Sequence, residues 1–148
     1  MSEGRSTRQR KTDALAMLAR NGQGWLATAD NGKPHLIAVA LWWHRDQLVV
    51  ATRTGTPTGR NLDANGVARI ALGTQDDAVM IDATVSSHAP VLAASELRQG
   101  WKATFGWDPA EEGSDWSFYT LWPVRIDAYR GYAELGGRAV MRDGRWLA

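Results

Sequence analysis

Residues 25–43 read WLATADNGKPHLIAVALWW, and this stretch sets the fold class of the chain. Two apolar segments, Trp25–Ala29 and Pro34–Trp43, flank the tetrapeptide Asp30-Asn31-Gly32-Lys33. An Asn-Gly pair accepts the positive φ angles of a two-residue turn, so the stretch predicts a β-hairpin. The second segment is apolar almost throughout, which predicts a strand that is covered on both faces.

More strands follow this hairpin along the chain. The polar turn His44–Gln47 and the pair Asp143-Gly144 predict two further hairpins. Between Trp122 and Tyr132, apolar and polar residues alternate, which is typical of a strand with one buried face. The predicted strands after the first hairpin are Leu48–Thr54, Val67–Leu72, Ala78–Val85, Trp122–Tyr132, Ala139–Met141 and Arg145–Trp146.

Helical patterns are few, and they lie between the strands. They predict helices over Asp13–Arg20, Thr56–Leu62 and Leu92–Lys102, with a loop over Phe105–Trp116. We expect residues 1–12 to form a basic tail and residues 13–148 to form one domain. Hairpin-linked strands with so few helices favour a mainly β, α+β fold whose antiparallel sheet curls into a barrel.

Composition excludes several classes of protein. The 148 residues include no cysteine, which rules out disulfide scaffolds, thiolate metal sites and cysteine nucleophiles. The net charge is +1, and no apolar run approaches the ~18 residues of a membrane-spanning helix. These features predict a cytoplasmic, soluble domain without a nucleic-acid or membrane partner. Eight tryptophans require a core, an interface or a flat ligand to cover them.

Two candidate motifs, a dinucleotide-binding pattern and a histidine metal site, do not fit their surroundings in the sequence. Gly22–Ala27 matches the relaxed dinucleotide pattern G-x-G-x-x-A, but it follows a helix and opens a strand, the reverse of the required order. The three histidines, His35, His44 and His88, lie on separate predicted elements with no spacing typical of metal ligands. We therefore expect no metal site.

The segment from Ala51 to Leu62 carries the main chemical signal. It leaves a strand, enters a helix, and offers threonine hydroxyls, two arginines and the N–H groups of a helix start. These groups suit a phosphate, because they combine fixed donors with positive charge. A capped turn with surface arginines explains the same residues.

The apolar stretch His35–Ala40 is expected to be the hairpin partner of the strand that leads into Ala51–Leu62. A flat ring with a phosphate tail can lie along the apolar stretch and this phosphate-suited segment together. Ile37 and Val39 are interpreted as core residues.

Taken in order, four stretches of the sequence resemble the flavin/deazaflavin split-barrel family related to pyridoxamine 5′-phosphate oxidase. They are Gly24–Thr28 with Gly32–His35, Ala51–Arg53 through Arg60–Leu62, Ala78–Ala83, and Trp122–Ile126 with Met141–Trp146. The resemblance implies a six-stranded antiparallel split β-barrel with flanking helices. It also implies a homodimer with two cofactors at its interface.

The resemblance also assigns site residues. Those implied to hold the cofactor are His35, Leu36, Ala38, Val39, Ala40, Thr52, Arg53, Thr54, Thr56, Thr58, Arg60 and Asn61. One departure concerns Thr58, which stands where the family usually has a lysine. Arg53 and Arg60 are the residues that can replace its charge.

FMN and the deazaflavin F420 use the same groove in that family. A path of positive charge for the polyglutamate tail of F420, formed by Arg5, Arg8, Arg10 and Lys11, favours F420, as does the arginine-rich composition. A solubilising tail explains the same four basic residues. The implied activity is hydride transfer between reduced F420 or FMN and a small planar or unsaturated substrate. We expect the loop Phe105–Trp116, with Trp107 and Trp116, to cover the substrate side. Two alternatives remain open: a non-catalytic carrier of flavin, deazaflavin or haem, the last needing a histidine ligand, and a cofactor-free structural dimer.

Overall fold

A computed structural model describes residues 3–148, so residues 1 and 2 of the expected tail lie outside it. Within the described residues, nine strands form one antiparallel sheet and five α-helices flank it. The strands are β1 Gln23–Asp30, β2 Lys33–Ala40, β3 Trp42–His44, β4 Gln47–Arg53, β5 Val67–Thr74, β6 Asp77–Pro90, β7 Trp116–Tyr129, β8 Ala139–Arg142 and β9 Arg145–Trp146. The helices are α1 Thr7–Ala19, α2 Pro57–Asn65, α3 Ser95–Phe105, α4 Pro109–Glu112 and α5 Gly131–Leu135.

The strand order closes the sheet into a split barrel. It runs β2-β1-β5-β6-β7-β4-β3, and β8 and β9 extend from β7. The two ends of this order, β2 and β3, are separated in the chain by Leu41 alone. Leu41 is buried, and its N–H donates to the carbonyl of Gly22 over 3.0 Å. The chain therefore turns a corner at Leu41 that joins the two ends of the sheet.

A split remains where β2 passes β4. In the described part of the chain these two strands form no hydrogen-bonded ladder, because β2 pairs with β1 and β4 pairs with β3 and β7. The strands of at least seven residues are β1, β2, β4, β5, β6 and β7. They form the expected six-stranded split barrel, so the predicted fold class is confirmed.

Residue 24 must be glycine because neighbouring parts of the chain come too close to it at the corner. A Cβ at this position would lie 2.5 Å from Cδ1 of Leu41 and 2.6 Å from the carbonyl oxygen of Ala71. The glycine pattern rejected as a dinucleotide motif therefore includes a residue that the barrel closure requires.

The three predicted hairpin turns are confirmed. Both central residues have positive φ in each turn: 51° and 74° at Asn31-Gly32, 52° and 60° at Arg45-Asp46, and 51° and 75° at Asp143-Gly144. These angles match the twist of the strands that each turn joins.

Apolar side chains form two cores. Leu26, Ile70, Ile81, Leu121 and Ile126 lie in the larger one, inside the barrel, and α1 packs Ala14 and Leu18 against it. The smaller core lies outside the barrel, between the sheet and α3, and contains Trp42, Val49, Val91, Trp101 and Phe118.

The expectation that both faces of the second hairpin strand are covered is wrong for this chain. The predicted strand Pro34–Trp43 breaks at Leu41, and β2 leaves Leu36 62% and Ile37 39% exposed. The reason is topological: β2 borders the split and pairs on one side only. Its apolar character therefore marks a surface that the single chain does not cover.

Two strands are longer than predicted. β6 runs on from Val85 to Pro90, because register shifts at Asp82/Ala83 and Val85/Ser87 let it keep pairing with β7. β7 begins at Trp116 rather than Trp122. Residues 117–119 are buried in succession, so this half of the strand has no alternating pattern.

Two helical predictions also need correction. α3 continues to Phe105, and α4 lies within the segment expected to be a loop. α1 begins at Thr7 rather than Asp13, with the Ser6 hydroxyl capping it by accepting the N–H of Gln9 over 3.1 Å. Part of the expected tail is therefore helical.

Basic residues of this N-terminal segment hold the fold together. Arg10 is buried, and its guanidinium donates to the carbonyl oxygens of Ala128, Gly137 and Arg138 over 2.9–3.2 Å. Lys11 donates to the carbonyl of Ala148 over 2.8 Å. These cations fasten α1 to the C-terminal part of the chain.

Arg5 and Glu134 form the most buried ion pair of this region, at 2.7 Å, with side chains 13% and 4% exposed. Hydrogen bonds from the Arg5 guanidinium, and then from the backbone N–H groups of Arg5 and Arg130, lower the pKa of Glu134 to about 2, against the opposing effect of burial. The pair therefore stabilises the fold above the ordinary pKa of a glutamate, and this stabilisation is lost as the pH falls toward 2.

We predict that Glu134→Gln lowers the free energy of unfolding at pH 7 by about 2 kcal/mol, because it leaves the Arg5 charge without its buried partner. The gap between variant and wild type should narrow as the pH falls from about 4.5 toward 2, since over that range the unfolded chain takes up a proton on Glu134 while the folded chain keeps the carboxylate ionised. Urea unfolding at several pH values measures both. A gap that is independent of pH, or one matched by the exposed Glu111→Gln control, would contradict this account.

Glycine also positions α2 against the end of β4. A Cβ on Gly59 would lie 2.6 Å from the Arg53 carbonyl oxygen and 3.1 Å from that of Thr54. Because both atoms belong to the backbone, the helix can approach the strand this closely only with glycine at position 59.

We predict that Gly59→Ala destabilises the protein by about 1–2 kcal/mol, because the steric cost of moving α2 exceeds the gain in helix propensity. Gly55→Ala is the matched control, since a Cβ there meets no atom within 4 Å. Chemical unfolding of the three proteins measures the difference. Equal loss in both variants would show that the close approach is not what limits the position.

Candidate cofactor-binding groove

The split between β2 and β4 opens into a groove of about 270 Å³. Its described lining residues come from β2, β4, the start of α2, the α3–α4 region and the first residue of β7. They are Ile37, Ala38, Val39, Ala40, Ala51, Thr52, Arg53, Thr56, Trp101, Trp107 and Trp116. The groove therefore has an apolar strand on one side, aromatic rings on another and polar groups from one strand end.

The apolar side contains three of the residues assigned from the resemblance, Ala38, Val39 and Ala40. His35 and Leu36 do not line the groove. Ile37, interpreted as core, lines the groove instead and is 39% exposed. The strand that contains these residues flanks β4 across the split and pairs with β1, so the expected hairpin pairing of the two is wrong.

The polar groups of the groove gather where β4 ends and α2 begins. The hydroxyls of Thr52 and Thr56 lie 3.2 Å apart. Thr56 caps α2 by accepting the N–H of Gly59 over 3.2 Å and donates its proton to the Arg53 carbonyl over 2.7 Å. The Thr52 hydroxyl therefore donates to Thr56, and its rotatable proton can turn instead to an anion at the helix start.

Arg53 is the one cationic side chain among the described lining residues. Its Nη2 donates to the carbonyl of Glu112 over 2.9 Å, and its guanidinium lies 5.5 Å from the ring centre of Trp116. Nε lies 3.8 Å from Oδ1 of Asp115. Arg53 therefore supplies positive charge to the groove and also holds the segment after α4.

Besides His35 and Leu36, four more assigned residues lie outside the groove. Thr54 is exposed, and Arg60 is exposed and donates to the carbonyl of Gly55. Asn61 donates to the hydroxyl of Thr28 over 3.1 Å, which ties α2 to β1. Thr58 is 1% exposed, and its hydroxyl is buried without a partner.

These positions decide how a phosphorylated cofactor fits this chain. The residue in place of the family lysine, Thr58, is turned into the protein, so it places no charge in the groove. Arg53 places its positive charge in the groove, beside the Thr52 hydroxyl and the start of α2. The donor set suits a phosphate, with arginine in the role expected of the lysine.

Three indole rings form the third side of the groove, which we call the aromatic wall: Trp101, Trp107 and Trp116. Trp107 makes edge-to-face contacts with both others, at centroid distances of 5.8 Å to Trp101 and 5.6 Å to Trp116. Trp107 and Trp116 belong to the segment expected to cover the substrate side, but none of the three indoles is among the residues assigned to the cofactor. Their spacing follows no local period, so the high tryptophan content and the place of this segment in the chain were the only signals for them.

Other features of the described residues bear on which kinds of site the chain can form. No histidine lines the groove, and residues 3–148 contain no group of His, Asp and Glu that can hold a metal ion. A larger cleft of about 580 Å³ lies elsewhere, beside Trp25, Met80, Tyr129 and Tyr132, and includes none of the assigned residues. No helix in the described part of the chain is long and apolar enough to cross a membrane.

Solved structures with the same fold include an F420 reductase, with a TM-score of 0.64 and 19% identity over 75% of this chain and 93% of that one. A FAD-binding protein from Mesorhizobium loti has a TM-score of 0.60 and 17% identity, covering 78% and 90%. ChuZ from Campylobacter jejuni has a TM-score of 0.75 and 9% identity, covering 96% and 63%. At these identities the likeness shows the fold alone.

No curated protein matches this sequence. The family described as pyridoxamine 5′-phosphate oxidase matches residues 11–132, which is well over half of the chain. This range contains the strands that border the split, the start of α2 and the aromatic wall. The chain belongs to the pyridoxamine 5′-phosphate oxidase family.

Proposed function

We propose that this protein is a cytoplasmic oxidoreductase that binds F420 or FMN in the groove between β2 and β4. Bound there, the reduced cofactor would supply the hydride for a small planar or unsaturated substrate, and solvent would supply the proton. Family membership and neighbours named as an F420 reductase and a FAD-binding protein support a flavin-related oxidoreductase or binding protein. The choice of reaction and cofactor is our own inference.

One observation carries this proposal: the groove joins an apolar strand to an anion-binding end. Ile37–Ala40 offer a flat apolar surface, and Thr52, Arg53 and the start of α2 offer donors and positive charge. A ring system with a phosphate needs both, in one continuous site.

When bound, the cofactor supplies the hydride chemistry, and the protein supplies position and surroundings. Thr52 and Arg53 hold the phosphate, β2 supports the ring, and the aromatic wall keeps water away from its far side. The described lining residues include no carboxylate or imidazole. This composition suits hydride transfer, which requires no strong acid or base from the protein.

A homodimer completes the proposal. Leu36 and Trp25, on the two strands of the first hairpin, are 62% and 52% exposed in the single chain. Large apolar side chains grouped in this way favour a protein partner, and a second copy covers them on both subunits at once. The cofactor grooves then lie at the subunit interface.

The structure changes the argument for F420. Of the four basic residues expected to form a path for its tail, Arg5 is paired with Glu134, Arg10 is buried and Lys11 binds the Ala148 carbonyl. Arg8 alone is exposed without such a contact among the described residues. The case for F420 therefore depends on the groove and on the composition of the chain, and the proposal keeps both FMN and F420.

The direct test is a titration of purified protein with FMN, F420 and haem, followed by tryptophan fluorescence and visible absorbance. We expect FMN or F420 to bind with a Kd in the micromolar range or below, which corresponds to about −8 kcal/mol. Haem should not bind in the groove, since no histidine lines it. Binding of neither FMN nor F420 would overturn the proposal, and binding without turnover would leave the carrier alternative.

A second prediction concerns the phosphate. Arg53→Met should weaken FMN binding about 10-fold, or ~1.4 kcal/mol, because a charge-assisted contact is lost. Riboflavin, which has no phosphate, should bind wild type and variant equally. Arg142→Met, at an exposed arginine on β8, is the matched control and should change neither Kd. Equal losses for FMN and riboflavin would show that Arg53 does not hold the phosphate.

A further inference from the structure

We propose that the aromatic wall selects the substrate, and that Trp107 is its specificity-determining residue. The substrate class that fits is planar, conjugated and uncharged, such as a quinone or another flat unsaturated ring. This inference rests on the proposed function, since it takes the cofactor to lie along β2 in the same groove.

Trp107 occupies the central place in the wall. It contacts both other indoles edge to face, while Trp101 is fully buried and Trp107 and Trp116 are half-buried. Trp101 is anchored further by Phe105 and Phe118, at centroid distances of 4.4 and 5.7 Å. The wall thus has a fixed base and a partly open ring that faces the groove.

The segment that follows Trp107 is held in a fixed position. The carboxylate of Asp108 is buried and accepts from the guanidinium of Arg98 at 2.8 Å and from the N–H of Ala110 at 3.0 Å. Pro109 is buried as well. A half-exposed indole whose neighbours are locked in this way is preorganised for a flat partner.

Arg53 holds Trp116, the other partly exposed ring of the aromatic wall. It stacks on Trp116 and binds the carbonyl of Glu112. Two separate anchors, one at each end, therefore keep three rings together beside the groove.

Charge sets the rest of the specificity. Arg53 is the only ionisable side chain among the described lining residues, and the proposed function uses it for the cofactor phosphate. The wall itself offers only π-faces and aromatic edges. A substrate there gains from flatness and conjugation, and a charged group loses its hydration without a partner.

The test is a binding measurement with 1,4-naphthoquinone as the planar probe and 2-cyclohexenone as the non-planar one. Because the chain has no cysteine, the quinone forms no thiol adducts. Calorimetry on protein with and without oxidised cofactor, using whichever of FMN and F420 binds, gives the Kd of each probe. Oxidised cofactor donates no hydride, so binding is separated from reaction.

We expect Trp107→Leu to weaken naphthoquinone binding about 5-fold or more and Trp107→Phe to restore most of it, since phenylalanine keeps an aromatic face. Cyclohexenone should bind weakly to all variants alike. Trp122→Leu, at a half-exposed tryptophan on β7 outside the groove, should match wild type. Melting temperatures confirm that each variant is folded.

Each outcome has one meaning. Naphthoquinone binding that Trp107→Leu leaves unchanged overturns the role of Trp107, while normal cofactor binding keeps the proposed function. No naphthoquinone binding to wild type, with or without cofactor, overturns the substrate class. Failure of both cofactors to bind overturns the proposed function, and the cofactor-free titration then still decides whether the wall binds a planar ring.

Discussion

The corner at Leu41 is the constraint on which the rest of this structure depends. Because the chain bends there, β2 and β3 pair with different strands at opposite ends of one sheet. β2 and β4 are thereby brought side by side without a ladder, and the space between them becomes the groove. Gly24 permits the bend by letting β1 approach Leu41 and Ala71 more closely than any side chain allows.

Three unlike surfaces meet in this groove, and each has its own physical origin. The apolar surface of β2 is exposed because the strand borders the split. The anion-binding end exists because α2 starts directly after β4, and Gly59 sets how closely the two approach. The aromatic wall comes from the α3–α4 region and the start of β7, where the smaller core reaches the edge of the groove. Arg53 touches two of these surfaces, since it borders the polar end and stacks on Trp116.

Features set by adjacent residues could be predicted from the sequence. The turns at Asn31-Gly32 and Asp143-Gly144 need positive φ, and α2 has Thr56 at its N-cap, Pro57 in its first turn and Gly66 at its end. Thr52, Arg53 and Thr56, which line the polar end of the groove, lie in this same stretch of adjacent residues.

Features set by distant partners could not be predicted. The burial of residues 117–119 depends on strands far away in sequence, so the start of β7 was missed. The inward turn of Thr58 depends on how α2 packs. The aromatic wall combines one residue of α3, one residue of the α3–α4 connection and the first residue of β7, which share no common period. The apolar run in β2 was taken as covered because the sequence does not reveal which strand borders a split. In each case a non-local contact decides the outcome.

The central claim is that the cofactor lies in the split between β2 and β4. Amide hydrogen exchange, read by mass spectrometry on the whole chain with and without cofactor, tests it most directly. The account predicts slower exchange in peptides that cover β2, residues 51–59 and residues 107–116, with the turn at residues 143–144 unchanged. Protection that omits these three segments and appears only around the larger cleft, at Trp25 and Tyr132, would contradict it.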